Sequence, residues 1–258
     1  MITSISYGQG VFVHNGNIVS GLKGKELQVV IPDNAYGKAL KEAVTEHWKA
    51  SKFKFITEKE LASYEDKKKV YLLGEFKGKF TAHSYDLSNI PFLGIVNSYN
   101  VKNKYFYKKK NLLAHVMLTV EDVSEEKLKS VIILHIKTLN YLIKTGGYKT
   151  WYPAMGKLKA RVKKKTVLIL KEDMKGDLST LEKKYTGKIK VVEQAEYDKA
   201  LQSEEEVLLL SSLRDESMYS CLSVVSNKGK VYWSDLNHSA ERKDWGKGFL
   251  IRFFKNLN

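Results

Sequence analysis

Residues 27–32 read LQVVIP and residues 166–171 read TVLILK, and each of these short apolar runs opens the same series of predicted elements. A continuous apolar run of this length is typical of a strand that is buried on both faces of a sheet. Two more predicted strands follow in each copy, at residues 53–57 and 69–76 and at residues 189–193 and 206–213. Amphipathic helical segments separate the strands, and a hairpin and an apolar helix close each copy.

Helices placed between buried strands predict an α/β fold, because each helix must cover a face of the sheet. We therefore predict two tandem β-α-β-α-β-β-β-α repeats with mixed sheets covered by helices. The pattern leaves open whether the repeats form one sheet or two. The turn pair Asn15-Gly16 between apolar runs predicts a further β-hairpin at the N-terminus, within residues 11–20. The predicted domains are residues 11–147, for the hairpin and first repeat, and residues 148–258, for a linker strand and the second repeat.

The composition limits the possible partners. The net charge is +15, but only four of the 44 cationic residues are arginine. Arginine performs most base reading and bidentate phosphate binding, so this surplus does not favour a sequence-specific nucleic-acid binder. A single cysteine, Cys221, excludes an intramolecular disulfide. No apolar run is long enough for a transmembrane segment.

The turns after the first strand of each repeat are the first candidate sites, because open α/β sheets bind ligands at such strand ends. They contain Asp33 and Asn34 in the first repeat and Asp173 in the second. Neither turn has the closely spaced glycines of a phosphate-binding loop, so we predict no nucleotide cofactor. We interpret these residues as helix caps, with a polar-ligand site as the alternative, and we expect Asp33→Ala to act mainly through capping.

The second candidate site is a lysine- and tyrosine-rich connection in the first repeat. Its candidate ligand-binding residues are Tyr105, Tyr107, Lys108, Lys109 and Lys110. Aromatic rings beside cations can stack on bases or sugars and hold phosphate. The alternative is a hairpin whose tyrosines pack on the sheet and whose lysines are solvated.

A basic segment at residues 157–165 joins the two repeats. We interpret it as an edge strand protected by lysines, with a polyanion contact as the alternative. Ser234, Asp235 and His238 invite comparison with a catalytic triad, but we interpret this stretch as a loop that enters the last helix. The histidine spacing does not match a helical metal site. We predict no catalytic residues and no metal ligands.

Two stretches resemble known proteins. Residues 1–9, MITSISYGQ, resemble the end of a secretory signal peptide of the kind found in exported Bacteroidetes proteins. Residues 39–55, ALKEAVTEHWKASKFKF, and the following TEKEL are similar to helix–strand units of uncharacterised exported α/β proteins of that group. The pattern also resembles the N-terminal domain of TolB-like envelope proteins. The resemblance implies that residues 1–10 are a signal-peptide remnant and that the protein is periplasmic or secreted, with a cytoplasmic location as the alternative.

These observations lead to a functional hypothesis with two alternatives. The hypothesis is a non-enzymatic exported protein that binds a ligand or an envelope protein, or forms a structural part of the envelope. One alternative is an enzyme of unknown class with a site at a strand end, near Asp33 or Asp173. The other is a low-specificity polyanion or nucleic-acid binder that uses its lysine clusters, and its affinity would fall steeply with salt.

Overall fold

The computed structural model describes residues 11–13, 22, 24–64, 70–78, 81–82, 85–86, 91–97, 105–106, 112–117, 123–145, 158–174, 176–214, 219–238 and 247–258. The chain divides into two compact units, of which the first contains Val11–Lys149 and the second contains Thr150–Asn258. The predicted signal-peptide remnant and residues 14–20 of the predicted hairpin lie outside the described residues.

The first unit is built on a sheet whose strands follow the order β1-β9-β7-β4-β2-β3. Strand β2 is parallel to β3 and β4, whereas β4, β7, β9 and β1 pair antiparallel. Strand β8 pairs with β4, and β5 pairs with β6 in a separate small ribbon. The strands are β1 (Val11–Val13), β2 (Glu26–Ile31), β3 (Lys52–Thr57), β4 (Tyr71–Gly78), β5 (Thr81–Ala82), β6 (Tyr85–Asp86), β7 (Pro91–Val96), β8 (Tyr105–Phe106) and β9 (Leu112–Met117). The helices are α1 (Ala35–His47), α2 (Glu58–Leu61) and α3 (Glu125–Lys144), and a 3₁₀ turn covers Ala62–Tyr64.

The second unit contains a five-stranded sheet in the order β11-β10-β12-β13-β14. Strand β10 is parallel to β11 and β12, and the last three strands are antiparallel. The strands are β10 (Thr166–Leu170), β11 (Lys188–Val192), β12 (Leu208–Arg214), β13 (Tyr219–Ser226) and β14 (Val231–His238). The helices are α4 (Leu178–Glu182), α5 (Gln194–Gln202) and α6 (Lys247–Leu257), and a 3₁₀ turn covers Lys171–Asp173.

The two units share one connectivity. In each, the first strand lies between the second and third and is parallel to both, and two antiparallel strands extend the sheet beyond the third. This confirms the prediction of two tandem repeats with mixed sheets. It also answers the question that the pattern left open, because the repeats form two sheets.

Local signals define several helix starts. Ser124 caps α3 by accepting a hydrogen bond from the Lys127 amide. Thr57 and Glu60 form a capping box, in which the Thr57 amide donates to the Glu60 carboxylate at 2.7 Å and the Glu60 amide donates to the Thr57 hydroxyl at 3.2 Å. Each pair satisfies amides that the first helical turn leaves without partners.

The junction segment differs from its prediction. Residues 158–162 are helical rather than extended, so the edge-strand interpretation of residues 157–165 and the predicted linker strand are wrong there. Leu158 and Val162, four residues apart, are both buried in the core of the second unit. A spacing of four places them on one helix face, and the intervening cations obscured this period. Likewise, residues 235–238 belong to β14 and do not form a loop.

Candidate functional site

The turn after β2 is the first predicted site, and its geometry begins with Asn34. The Asn34 backbone is extended, and its Oδ1 atom accepts a hydrogen bond from the Gly37 amide at 2.9 Å, which makes Asn34 the N-cap of α1. Asp33 lies exposed beside it. The capping prediction is therefore confirmed for Asn34 and wrong for Asp33, so Asp33→Ala is not expected to act through the cap.

The same turn is held tightly against the sheet end. A Cβ atom on Gly37 would lie 1.8 Å from the Pro32 carbonyl oxygen, so no larger residue fits without moving the backbone. Such a close approach fixes the position of the first helical turn relative to β2.

Tyr36 follows the cap and points its side chain into the protein, with 5% of the residue exposed. Its hydroxyl is buried and has no hydrogen-bond partner among the described residues. Burial, and then the negative charge of Glu75, raise the pKa of Tyr36. Because Val29 is in register with Leu73, continuing the register places Glu75 level with Ile31 at the end of β2. A buried hydroxyl without a partner is costly, and this one lies near a strand end where the charge of Glu75 acts on it.

The equivalent end of the second sheet is arranged differently. Asp173 lies in the 3₁₀ turn that follows β10, and Asp177 caps α4 by accepting from the amides of Ser179 at 3.1 Å and Thr180 at 3.3 Å. Hydrogen bonds, the strongest from the Ser179 side chain, lower the pKa of Asp177 to about 2. The cap in this repeat is therefore Asp177, and Asp173 does not supply it.

Asp173 lies near a second buried tyrosine, Tyr197 of α5. Burial, and then the charges of Asp173 and Asp198, raise the pKa of Tyr197. Unlike Tyr36, Tyr197 has a partner, because its hydroxyl donates to the Leu210 carbonyl oxygen at 3.1 Å. The structure thus brings a tyrosine and an acid together at both strand ends, which sequence reasoning missed, and it satisfies the hydroxyl only in the second.

A buried polar cluster crosses β13 and β14. The hydroxyls of Ser223 and Ser234 are 2.8 Å apart, and the Cys221 sulfur is 3.6 Å from each. All three residues are at most 4% exposed. Their polar atoms satisfy one another, which is the requirement for burying hydroxyls in a sheet.

The lysine- and tyrosine-rich connection is described only in part. Tyr105 belongs to β8, where it is in parallel register with Lys77 of β4. Tyr107, Lys108, Lys109 and Lys110 lie outside the described residues, so the site stays a prediction.

The basic junction segment uses several cations inside its own unit. Lys159 donates to the Asn256 carbonyl oxygen, and its amine lies 4.0 Å from the centre of the Trp233 ring. Lys163 donates to the carbonyl oxygen of Asn258 at 2.6 Å, and Lys165 pairs with Glu206. These contacts hold the junction segment against the C-terminal end of α6 and the residues before β12, and they leave fewer cations for a polyanion than the sequence indicated.

The outer strands of the two sheets form a pair that sequence reasoning did not recognise as such. Strand β3 reads KFKFIT and β11 reads KIKVV, and each lies at one end of its sheet. Lys52 and Lys54 are exposed in β3, as are Lys188 and Lys190 in β11. The alternating lysines were a visible signal, because lysine is frequent on strands at sheet edges.

Metal sites and membrane spans can be addressed for the described residues. Among them, no three His, Cys, Asp or Glu side chains come together as a metal site. None of the described helices has the length and apolar character needed to span a membrane.

Two histidines, His135 and His47, are buried or half-buried on helices of the first unit. His135 of α3 is 4% exposed, and burial lowers its pKa to about 3. His47 is half-buried at the end of α1, and burial, followed by the charge of Lys137, lowers its pKa. Both changes favour the neutral imidazole.

The comparisons with known proteins gave no relatives. No protein-family model matches the chain, and neither a curated protein nor a solved structure is significantly similar to it.

Proposed function

We propose that this chain is a non-enzymatic binding protein that is exported to the periplasm or secreted, where it holds a partner in the cell envelope. The export component is supported by the resemblance of residues 1–9 to the end of a signal peptide. The binding component is supported by the way the described polar groups are used.

One observation carries this proposal: several of the described polar side chains at and near the candidate strand ends make structural hydrogen bonds. Asn34 and Asp177 cap helices, Tyr197 bonds a backbone carbonyl, and the hydroxyl cluster of the second sheet is satisfied within itself. Groups that are already held in this way are poorly placed to move protons or attack a substrate. What both sheets present to solvent is their lysine-bearing outer strands.

Cell fractionation tests the location. We expect the protein, expressed from its own gene and detected with an antibody, to separate with periplasmic or envelope markers. Co-fractionation with cytosolic enzymes alone would overturn the export component.

Cross-linking in intact cells tests the binding component. We expect a discrete adduct of higher mass that is lost when the cross-linker is omitted and that contains an envelope protein. If the chain is recovered only as an unmodified monomer over a range of cross-linker concentrations, the binding proposal fails.

A second candidate function, a small-ligand or enzyme site at the first strand end, has one observation in its favour. The Tyr36 hydroxyl is buried and has no partner within the described part of the chain, the charge of Glu75 acts on it, and Asp33 lies on the adjoining turn. A bound polar molecule would supply the missing hydrogen bond.

Substitution of Tyr36 by Phe discriminates the two functions. If no ligand binds there, Tyr36→Phe removes an unsatisfied hydroxyl, so the melting temperature should stay unchanged or rise. The free energy of unfolding should rise by about 1 kcal/mol at most. Ligand-observed NMR with a panel of small polyols and primary amines provides the second measurement. Binding to the wild type that Tyr36→Phe abolishes would favour the small-ligand site.

A further inference from the structure

We propose that the outer edge of β3 accepts an extended segment of a partner protein, with acidic and apolar side chains in alternation, as an added strand of the first sheet. This inference rests on the proposed binding function and specifies how the partner is held.

β3 lies at one end of its sheet. β3 is the end strand of the order, and it pairs with β2 in parallel register from Lys52 opposite Glu26 to Thr57 opposite Ile31. Among the described strands, none pairs with its other side. The outward backbone amides and carbonyls of a strand this long form a template for one more strand.

One face of β3 carries apolar surface. Phe53 and Phe55 lie on the same face, because side chains two apart in a strand point the same way. Their rings are in edge-to-face contact with centres 5.3 Å apart, and both residues are only half-buried. Their register partners on β2, Leu27 and Val29, are fully buried. The apolar surface of the sheet therefore extends into solvent at β3, and a further strand would cover it.

The other face of β3 carries positive charge. Lys52 and Lys54 are exposed on the opposite face of β3, and the Lys41 amine lies 5.6 Å from the centre of the Phe55 ring. Lys54 is held in place by a hydrogen bond to the Tyr64 side chain. An incoming strand with alternating carboxylates would place negative charge beside these lysines.

The same lysines disfavour a second copy of this chain at the β3 edge. A second copy of this chain would bring its own β3 lysines against those of the first, and like charges on neighbouring strands are destabilising. Lysines on an edge usually prevent such self-pairing. Here they also select an acidic partner over a basic one.

The outer strand of the second sheet provides an internal control. β11 has the same alternation, but its Lys190 pairs with Glu196 and its Ile189 packs against the core of the second unit. Lys190 and Ile189 of β11 thus have partners within the unit, whereas Lys188 is exposed in the way that Lys52 of β3 is. The proposal predicts strand addition at β3 and not at β11.

A labelled synthetic peptide of alternating glutamate and valine, titrated into the full chain and followed by fluorescence anisotropy, tests the proposal. We expect saturable binding that weakens about tenfold in Phe55→Thr and in Lys52→Glu, a difference of about 1.4 kcal/mol. Lys188→Glu, the matched change on β11, should leave the affinity within about twofold of the wild type. Equal weakening by Lys188→Glu would overturn the assignment to β3.

A second peptide keeps the test independent of how the variants fold. N-methylation of every residue removes the amide donors on both edges of the peptide, so this peptide should not bind the wild-type chain. If the N-methylated peptide binds as tightly as its parent, strand addition is wrong. If polyglutamate without valine binds as tightly as the parent peptide, the surface responds to charge alone, and strand addition is again wrong.

Failure here can be separated from failure of the proposed function. An envelope adduct that persists in Phe55→Thr and Lys52→Glu cells would remove the β3 edge while leaving the binding function in place. Loss of the adduct and of the envelope location in the wild type would remove both.

Discussion

The two units share one strand order but differ in the surroundings of a buried tyrosine and in their outer strands. In the first unit, the Tyr36 hydroxyl has no partner among the described residues, and Phe53 and Phe55 are half-buried on the outer strand β3. In the second unit, Tyr197, which follows the second strand of its repeat rather than the first, is hydrogen-bonded, and Lys190 of the outer strand β11 pairs with Glu196. Both units bury further polar atoms without partners among the described residues, and we place the interaction at the outer strand of the first unit.

In the second unit, the buried side chain of Asn227 holds two loops together. The Asn227 side chain is fully buried, donates to the carbonyls of Ala200, Ser203 and Glu205, and accepts from the Val207 amide. It joins the β13–β14 turn to the loop between α5 and β12. We take this residue as the first test of the comparison.

Asn227→Ala should have the largest effect, a loss of about 4 kcal/mol in the free energy of unfolding, because it leaves several buried groups without partners. Urea unfolding with hydrogen exchange would show the loss concentrated in the second unit. Lys228→Ala is the matched control, since Lys228 bonds Ser203 from an exposed position and should cost about 0.5 kcal/mol or less. Similar losses for both substitutions would contradict the comparison.

Acid should affect the first unit before the second. His135 has a folded pKa of about 3, below its ordinary value near 6.5, so only the unfolded chain takes up the proton between these values. The stability contributed by neutral His135 is present above about pH 6.5 and falls by about 1.4 kcal/mol per pH unit below it, or about 3 kcal/mol by pH 4. Asp177 in the second unit, with a pKa lowered to about 2, loses its contribution only as the pH falls from about 4 towards 2.

Hydrogen exchange of peptides from each unit between pH 7 and 4 would measure this difference. His135→Leu, which removes the titrating group, should flatten the pH dependence of the first unit and leave that of the second unchanged. If the slope in the first unit survives His135→Leu, the buried histidine is not its cause. His47, whose pKa is also lowered, would then be the next residue to change.

The smallest effect distinguishes the two neighbours at the first strand end. Asn34→Ala removes the α1 cap and should cost about 1 kcal/mol, whereas Asp33→Ala should change the free energy of unfolding by less than about 0.5 kcal/mol. Chemical denaturation of both variants checks this order. A larger loss for Asp33→Ala would mean that Asp33, rather than Asn34, holds the start of α1.

Much of the fold was predictable because it depends on neighbours in the chain. The apolar run of β2, the period of α3 and the capping box at Thr57 are all local patterns. The junction helix was missed because its two apolar positions, Leu158 and Val162, are separated by cations whose alternation resembles an edge strand. The pairings of Tyr36 with Glu75 and of Tyr197 with Asp173 were missed because these residues approach each other only through folding.

The sequence by itself determined that this is a duplicated α/β chain and where most of its strands and helices lie. It also determined that its cationic residues are mainly lysine. The tertiary structure decided the strand order, the residue that caps each helix, and which lysines are bound within the fold and which remain at an edge. The physical reason is range. Propensity, period and capping act within a few residues, whereas pairing, burial and charge balance depend on residues that are far apart in the chain and meet only when the sheets form.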